Sequence, residues 1–141
     1  MIYLIDSDWI IDHLAGRPDA VALLQRLAGD GFAISIVTYV EAYAGIYGGR
    51  DPAASEGLFR RLIADVPVLP ISRVVGRRAA RERNLLRAQG RPLPLADVLI
   101  AATAIHHDLA LVTRNLHHYE RIPMLKLYRD PATPSTTPSL S

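Results

Sequence analysis

Short apolar runs alternate along this chain with longer stretches in which apolar residues recur at three- and four-residue spacing. Five of the short runs, at residues 2 to 6, 33 to 36, 68 to 71, 109 to 112 and 124 to 127, have the length and turn-rich flanks of strands. The stretches between them read as helices. Gly16 followed by Pro18 closes the first, Asp51 with Pro52 reads as an N-cap and first helical residue, and Pro92 and Pro94 precede the helix carrying Asp97. Strands alternating with helices predict an α/β fold of three layers, α/β/α, with a central, mostly parallel sheet of four to five strands.

The 141 residues suit one domain, expected over 1–130. Residues 131–141, PATPSTTPSLS, carry three prolines with Ser and Thr and no charge, so they are expected to form a disordered tail. With no cysteine, disulfides and thiolate metal sites are excluded. Asp6, Asp8 and Asp12 interrupt the first apolar stretch, which is unlike an export signal, and no run approaches the roughly 20 residues of a membrane span. A soluble, cytoplasmic protein is expected, with no membrane contact.

Charge adds one feature. The net charge is only +2, yet seven arginines (73, 77, 78, 81, 83, 87, 91) fall in one stretch against a single acid, Glu82. On a helix Arg73, Arg77 and Arg81 share a face that could present guanidinium forks to phosphates; the bland alternative is a solvated helix face.

The candidate chemistry lies at strand ends. In an open parallel sheet, ligands bind beyond the carboxyl ends of the strands. Asp6 follows the run IYLI, Glu41 lies about a turn and a half beyond AISI, Asp97 opens the helix DVLIAATAI, and Thr113, Arg114 and Asn115 follow LALV. Three acids from distant parts of the chain converge on one edge, and an all-oxygen cluster of this kind suits Mg²⁺ or Mn²⁺. Each acid also has a structural role open to it. Glu41, three residues after Thr38, has the capping-box spacing, and Asp97 suits the dipole of its helix. Asp6, at a strand end, has no cap to make. Asp8 and Asp12 read as exposed helix residues, while Trp9, Ile10 and Leu14 are expected to face the core.

The ordered segments LIDSDWI, SIVTYVEAYAG, LPLADVLIAATA and LALVTRN resemble the PIN-domain family, and closely its VapC-type toxin ribonucleases, from residue 2 to about residue 128. The resemblance implies a parallel sheet between helices, Mg²⁺- or Mn²⁺-dependent endoribonuclease activity, a small VapB-like antitoxin as partner, and a homodimer. Asp6, Glu41 and Asp97 match the family's metal-binding catalytic acids, and Ser7 and Thr113 its small hydroxyl positions beside them. One departure stands out: where the family often has a further acid, this chain reads TRNLHHY, so that Asn115 or His118 takes the place of a carboxylate. Arg77, Arg81 and Arg114 are the arginines expected to meet RNA.

Rival readings are a catalytically inactive PIN-like module that binds RNA or protein, a haloacid-dehalogenase-like phosphatase built on Asp6 and Asp8, and a receiver-like phospho-acceptor. The phosphatase wants a mid-chain lysine, whereas the sole lysine is Lys126; the receiver wants an acceptor Asp at a central strand end. The pairs His106/His107 and His117/His118 match no zinc spacing, and adjacent histidines are expected to point apart.

Overall fold

The computed structural model describes residues 1–130. The expected tail, 131–141, lies outside the described residues. Five strands form one sheet, β1 (Tyr3–Ile5), β2 (Phe32–Ser35), β3 (Val68–Leu69), β4 (Ala110–Val112) and β5 (Lys126–Leu127), in the order β3-β2-β1-β4-β5. Every pairing is parallel: Tyr3 faces Phe32 on one side and Ala110 on the other, Ser35 faces Leu69, and Leu111 faces Leu127. Parallel strands need crossovers, and helices supply them: α1 (Ser7–Leu14), α2 (Pro18–Ala28), α3 (Ile36–Tyr47), α4 (Pro52–Leu62), α5 (Arg73–Ala88), α6 (Leu95–His106) and the single turn α7 (Leu116–Tyr119).

Alternation along the strands divides the core in two. Leu4, Ala33 and Leu111 point to the face covered by α5 and α6, where Val75, Ala79, Leu86 and the run Val98 to Ala104 pack. Ile5, Phe32, Ile34 and Val112 point to the other face, against Ile10, Leu23, Leu27, Ala42 and Phe59 of α1 to α4. Central strand β1 is therefore apolar on both faces, as a covered parallel sheet requires. Leu14 and Trp9 join the second cluster at its margin, and Ile10 is fully buried within it.

Element ends follow local chemistry, with two departures from expectation. The strand expected from residue 124 begins at Lys126, because Met124 adopts φ +68 and cannot extend the ladder. The strand expected to reach residue 71 stops at Leu69, before Pro70, which has no N–H to donate. Asp51 caps α4 as expected, its Oδ1 accepting from Ala54 N at 3.1 Å with Pro52 in the first turn. For α3, however, Ser35 is the N-cap and accepts from Val37 N at 3.0 Å, so the spacing of Thr38 and Glu41 forms no capping box. Glu41 is thereby left for other work.

Candidate metal and active site

Because β1 is the central strand and runs straight into α1, Asp6 sits at the carboxyl edge of the sheet at its middle. Its backbone N–H still donates to Val112 O of the neighbouring strand at 2.9 Å. Contrary to the expectation that a strand-end acid caps nothing, Asp6 is the N-cap of α1, with Oδ1 accepting from Ser7 N at 2.7 Å. Its second oxygen, Oδ2, accepts from Thr113 Oγ1 at 2.7 Å and Tyr119 Oη at 3.3 Å. Only 5 % of Asp6 is exposed, so these donors replace the water that an ionised carboxylate needs.

Glu41 reaches the same place from α3. The Ser7 hydroxyl donates to its Oε1 at 2.5 Å, and Ser7 Oγ lies 3.3 Å from the fully buried hydroxyl of Thr38, within hydrogen-bonding distance. Asp97 comes from the first turn of α6, where no side chain caps the helix and the dipole favours a negative charge. Its carboxyl is nevertheless held above the ordinary range, first by burial and then by the charges of Asp6 and Glu41, against a smaller opposing pull from His118 and a bond from Tyr119. These couplings place the three expected acids in one field.

Two further side chains belong to the site and were not expected there. Asp8, read as an exposed helix residue, is partly buried: Oδ2 accepts from Arg114 N at 2.9 Å and lies 3.3 Å from Thr113 Oγ1, while Oδ1 accepts from Trp9 N at 2.7 Å. Burial and the neighbouring Asp6 push it up to about 6, against those donors. Tyr119, on the one-turn α7, is 1 % exposed; burial first, then the charges of Asp6 and Asp97, raise its phenol well above the ordinary tyrosine value. It stays protonated and donates. Asp12 is likewise occupied, as a partner of Arg114.

The other expected residues are placed as follows. Asn115 precedes α7; its N–H donates to Thr113 Oγ1 at 3.1 Å, and its exposed side chain makes no cap bond. His118 is exposed and close enough to Asp97 to act on its charge. The Arg114 guanidinium is pinned, donating to Asp12 at 2.6 Å and Asp19 at 2.9 Å and lying 3.8 Å above the Trp9 ring. Arg77 and Arg81 line a separate surface hollow on α5 with Arg78 and Glu82. The His106 and His107 rings do not point apart but meet edge to face at 4.9 Å.

Among the described residues no three acid or imidazole side chains stand close enough together to enclose one ion. The carboxylates lean instead on hydroxyls, Glu41 on Ser7 and Asp6 on Thr113 and Tyr119. In chemistry the donor set still suits a hard divalent cation: its acids are all oxygen donors, and Asp97 is repelled by Asp6 and Glu41 more than His118 offsets.

A parallel α/β sheet with an acidic cluster at its carboxyl edge defines a class, and comparison with known proteins specifies it. The PIN domain model matches residues 3–123, so the chain belongs to the PIN-domain family. It is 37 % identical over 124 residues to Ribonuclease VapC10 of Mycobacterium tuberculosis, covering 87 % of this chain and 90 % of that protein. Identity with Ribonuclease VapC19 of the same organism is 36 % over 125 residues, covering 87 % and 96 %. The structure of VapBC2 from Rickettsia felis bound to a DNA fragment from its promoter aligns with a TM-score of 0.83 at 25 % identity, covering 91 % of this chain and 98 % of that one.

Proposed function

We propose that this protein is a divalent-metal-dependent endoribonuclease and the toxin of a toxin–antitoxin pair. The observation that carries the reading is that Asp6, Glu41 and Asp97, from β1, α3 and α6, come near one another at the carboxyl edge of the sheet, where burial first and then the charges of Asp6 and Glu41 raise the Asp97 carboxyl. The named ribonucleases among its relatives support RNA as substrate. The VapBC complexes among its structural neighbours support a small antitoxin as partner, with a homodimer as the further assembly expected.

Asp6, Glu41 and Asp97 would hold Mg²⁺ or Mn²⁺, with Asn115 or Asp8 completing the set. When bound, such an ion lowers the pKa of a coordinated water and offsets charge on the phosphate under attack. The chain's own residues do the rest. Ser7, Thr113 and Tyr119 orient the carboxylates by donating to them, so that little reorganisation is needed when substrate arrives. Tyr119 also closes the floor of the site to water, since its ring is buried. Arg77 and Arg81, on the exposed face of α5, supply salt-sensitive attraction to an RNA backbone. Arg114, already held by two aspartates, acts as a strut that fixes the Thr113 loop and Asp8.

The neutral Asn115 favours a second reading, a module that binds RNA without cutting it. One assay separates the two. The purified chain incubated with single-stranded RNA should yield 5′-phosphate ends in Mg²⁺ or Mn²⁺ and none with excess EDTA, and Asp97→Asn should abolish the cut. Binding without cleavage under every metal condition would support the inactive module.

A further inference from the structure

Beside the acidic cluster lies a cavity of about 440 Å³ with the opposite charge. Arg91, Arg121, His117 and His118 line it over a floor that includes Leu86 and Pro94, and no acid does. It adjoins the reaction centre twice: His118 acts on the charge of Asp97, and Pro94 is the residue from which the Asp97 helix starts.

The walls are rigid where the arginines leave the backbone. At the end of α5, Gly90 takes φ +69, its N–H donates to Arg87 O at 3.0 Å, and Arg91 N donates to Leu86 O at 2.8 Å. This is a Schellman closure, in which the glycine is needed for its left-handed conformation. It fixes the point from which Arg91 projects. Arg121 stands between Tyr119 and Ile122, which are 1 % and 3 % exposed and joined by a backbone bond of 3.1 Å. Neither guanidinium has an acidic partner among the described residues. Arg114, by contrast, carries two aspartates. Glu120, next to Arg121 in the chain, is turned to His117 and Arg129, both at 3.6 Å.

We infer that this cavity is a phosphate subsite of the RNA channel, taking the phosphodiester next to the one cleaved, with Arg91 and Arg121 as its ligands. The inference rests on the nuclease reading. A strand laid with one phosphate over the carboxylates would carry its next phosphate past His118, into the cavity that Arg91 and Arg121 line without an acidic partner among the described residues. Guanidinium forks suit a tetrahedral oxyanion, since each offers paired N–H donors to two oxygens. The charge pattern also accounts for how an acidic centre accepts a polyanion: the repulsion at Asp6, Glu41 and Asp97 is offset one phosphate away.

The test measures binding of a short fluorescein-labelled single-stranded RNA to the full chain in EDTA, where nothing is cut, across a salt series. Arg91→Ala and Arg121→Ala should each reduce the slope of log K against log salt by about 0.7, and the double variant by about 1.4, while Arg60→Ala on α4 leaves it unchanged. In Mg²⁺, a neutral methylphosphonate linkage next to the cleaved bond should raise KM for the wild type and cause no further rise in the double variant. An unchanged slope in the double variant overturns the subsite while leaving the nuclease reading intact. Failure of the wild type to bind RNA at low salt removes both. Loss of an acidic partner protein from the double variant, with RNA binding unaltered, gives the cavity to that protein and likewise overturns the subsite.

Discussion

Thr113 and Asp6 lie 107 residues apart in sequence, and the hydroxyl of one donates to the carboxylate of the other at 2.7 Å. The bond ties the end of β4 to the end of β1 at the point where both strands leave the sheet. It also belongs to a chain, because Thr113 Oγ1 accepts from Asn115 N and approaches Asp8. One hydroxyl thus sets the position of two acids and of the loop that follows. Thr113→Val keeps the shape and removes the donor, leaving a buried carboxylate one bond short. Unfolding in urea should show a loss of about 1–3 kcal/mol, and RNA cleavage should fall with it, whereas Thr113→Ser should restore both. Undiminished stability in Thr113→Val would show that Tyr119 and Ser7 N satisfy Asp6 without it.

The surroundings of Asp97 resist its ionised form, first through burial and then through Asp6 and Glu41. Asp97→Asn removes one of these mutually repelling charges. Metal-free stability at neutral pH should rise, by up to about 1 kcal/mol once solvent screening is allowed for, while cleavage falls at least about 10²-fold. Glu41→Gln isolates charge from hydrogen bonding, since the amide oxygen can still accept from Ser7. It should retain the wild-type melting temperature and lose activity. A variant that keeps activity would remove Glu41 from the catalytic set.

The fold was legible, and three acids could be singled out as candidates, because each leaves a local mark. Asp6 and Asp97 border apolar segments whose period already assigns them to a strand end and a helix start, Glu41 follows a strand by a turn and a half of helix, and the sheet rule then points all three to one edge. Asp8 left no such mark. On α1 it looks like any polar helix residue, and only the backbone N–H of Arg114, arriving from β4, shows that it faces inward. Tyr119 was hidden for a similar reason: its direction depends on a one-turn helix, too short for periodicity to reveal. The acidic partners of Arg114 were equally invisible, because Asp12 and Asp19 meet it only through the tertiary fold.

The identity of the fourth oxygen donor can be read by calorimetric titration with Mn²⁺, independently of turnover. Asn115 offers an uncharged carbonyl and Asp8 a carboxylate, and both residues meet Thr113 Oγ1. Ligand charge governs affinity for a hard cation, so Asn115→Asp should tighten binding several-fold if that side chain faces the ion. Asp8→Asn should weaken it by a similar factor if Asp8 completes the set. His118→Ala should leave affinity nearly unchanged and preserve the preference between Mg²⁺ and Mn²⁺. A collapse of Mn²⁺ binding in His118→Ala, with Asn115→Asp silent, would transfer the role to the imidazole, which Mn²⁺ accepts more readily than Mg²⁺.

Far from this edge, His13 at the end of α1 faces a cavity of about 580 Å³ that Leu24, Phe32, Arg61 and Asp65 also line. Its Nδ1 is buried without a hydrogen-bond partner among the described residues, and burial pulls its pKa below the ordinary histidine value. The folded state therefore resists protonation, while the unfolded chain takes up a proton near 6.5. The sign follows: below that pH the unfolded state binds more protons, so this residue's contribution is intact above about 6.5 and is lost as pH falls toward the depressed folded value. Metal-free protein should lose urea stability over that interval. Other groups titrate there too, so the informative quantity is the difference between wild type and His13→Gln, whose side chain does not titrate. That difference should be constant above about 6.5 and should shift in favour of the variant as the pH is lowered. Parallel curves down to pH 5 would mean that the folded protein protonates His13 as readily as the unfolded chain does, through water admitted to the cavity.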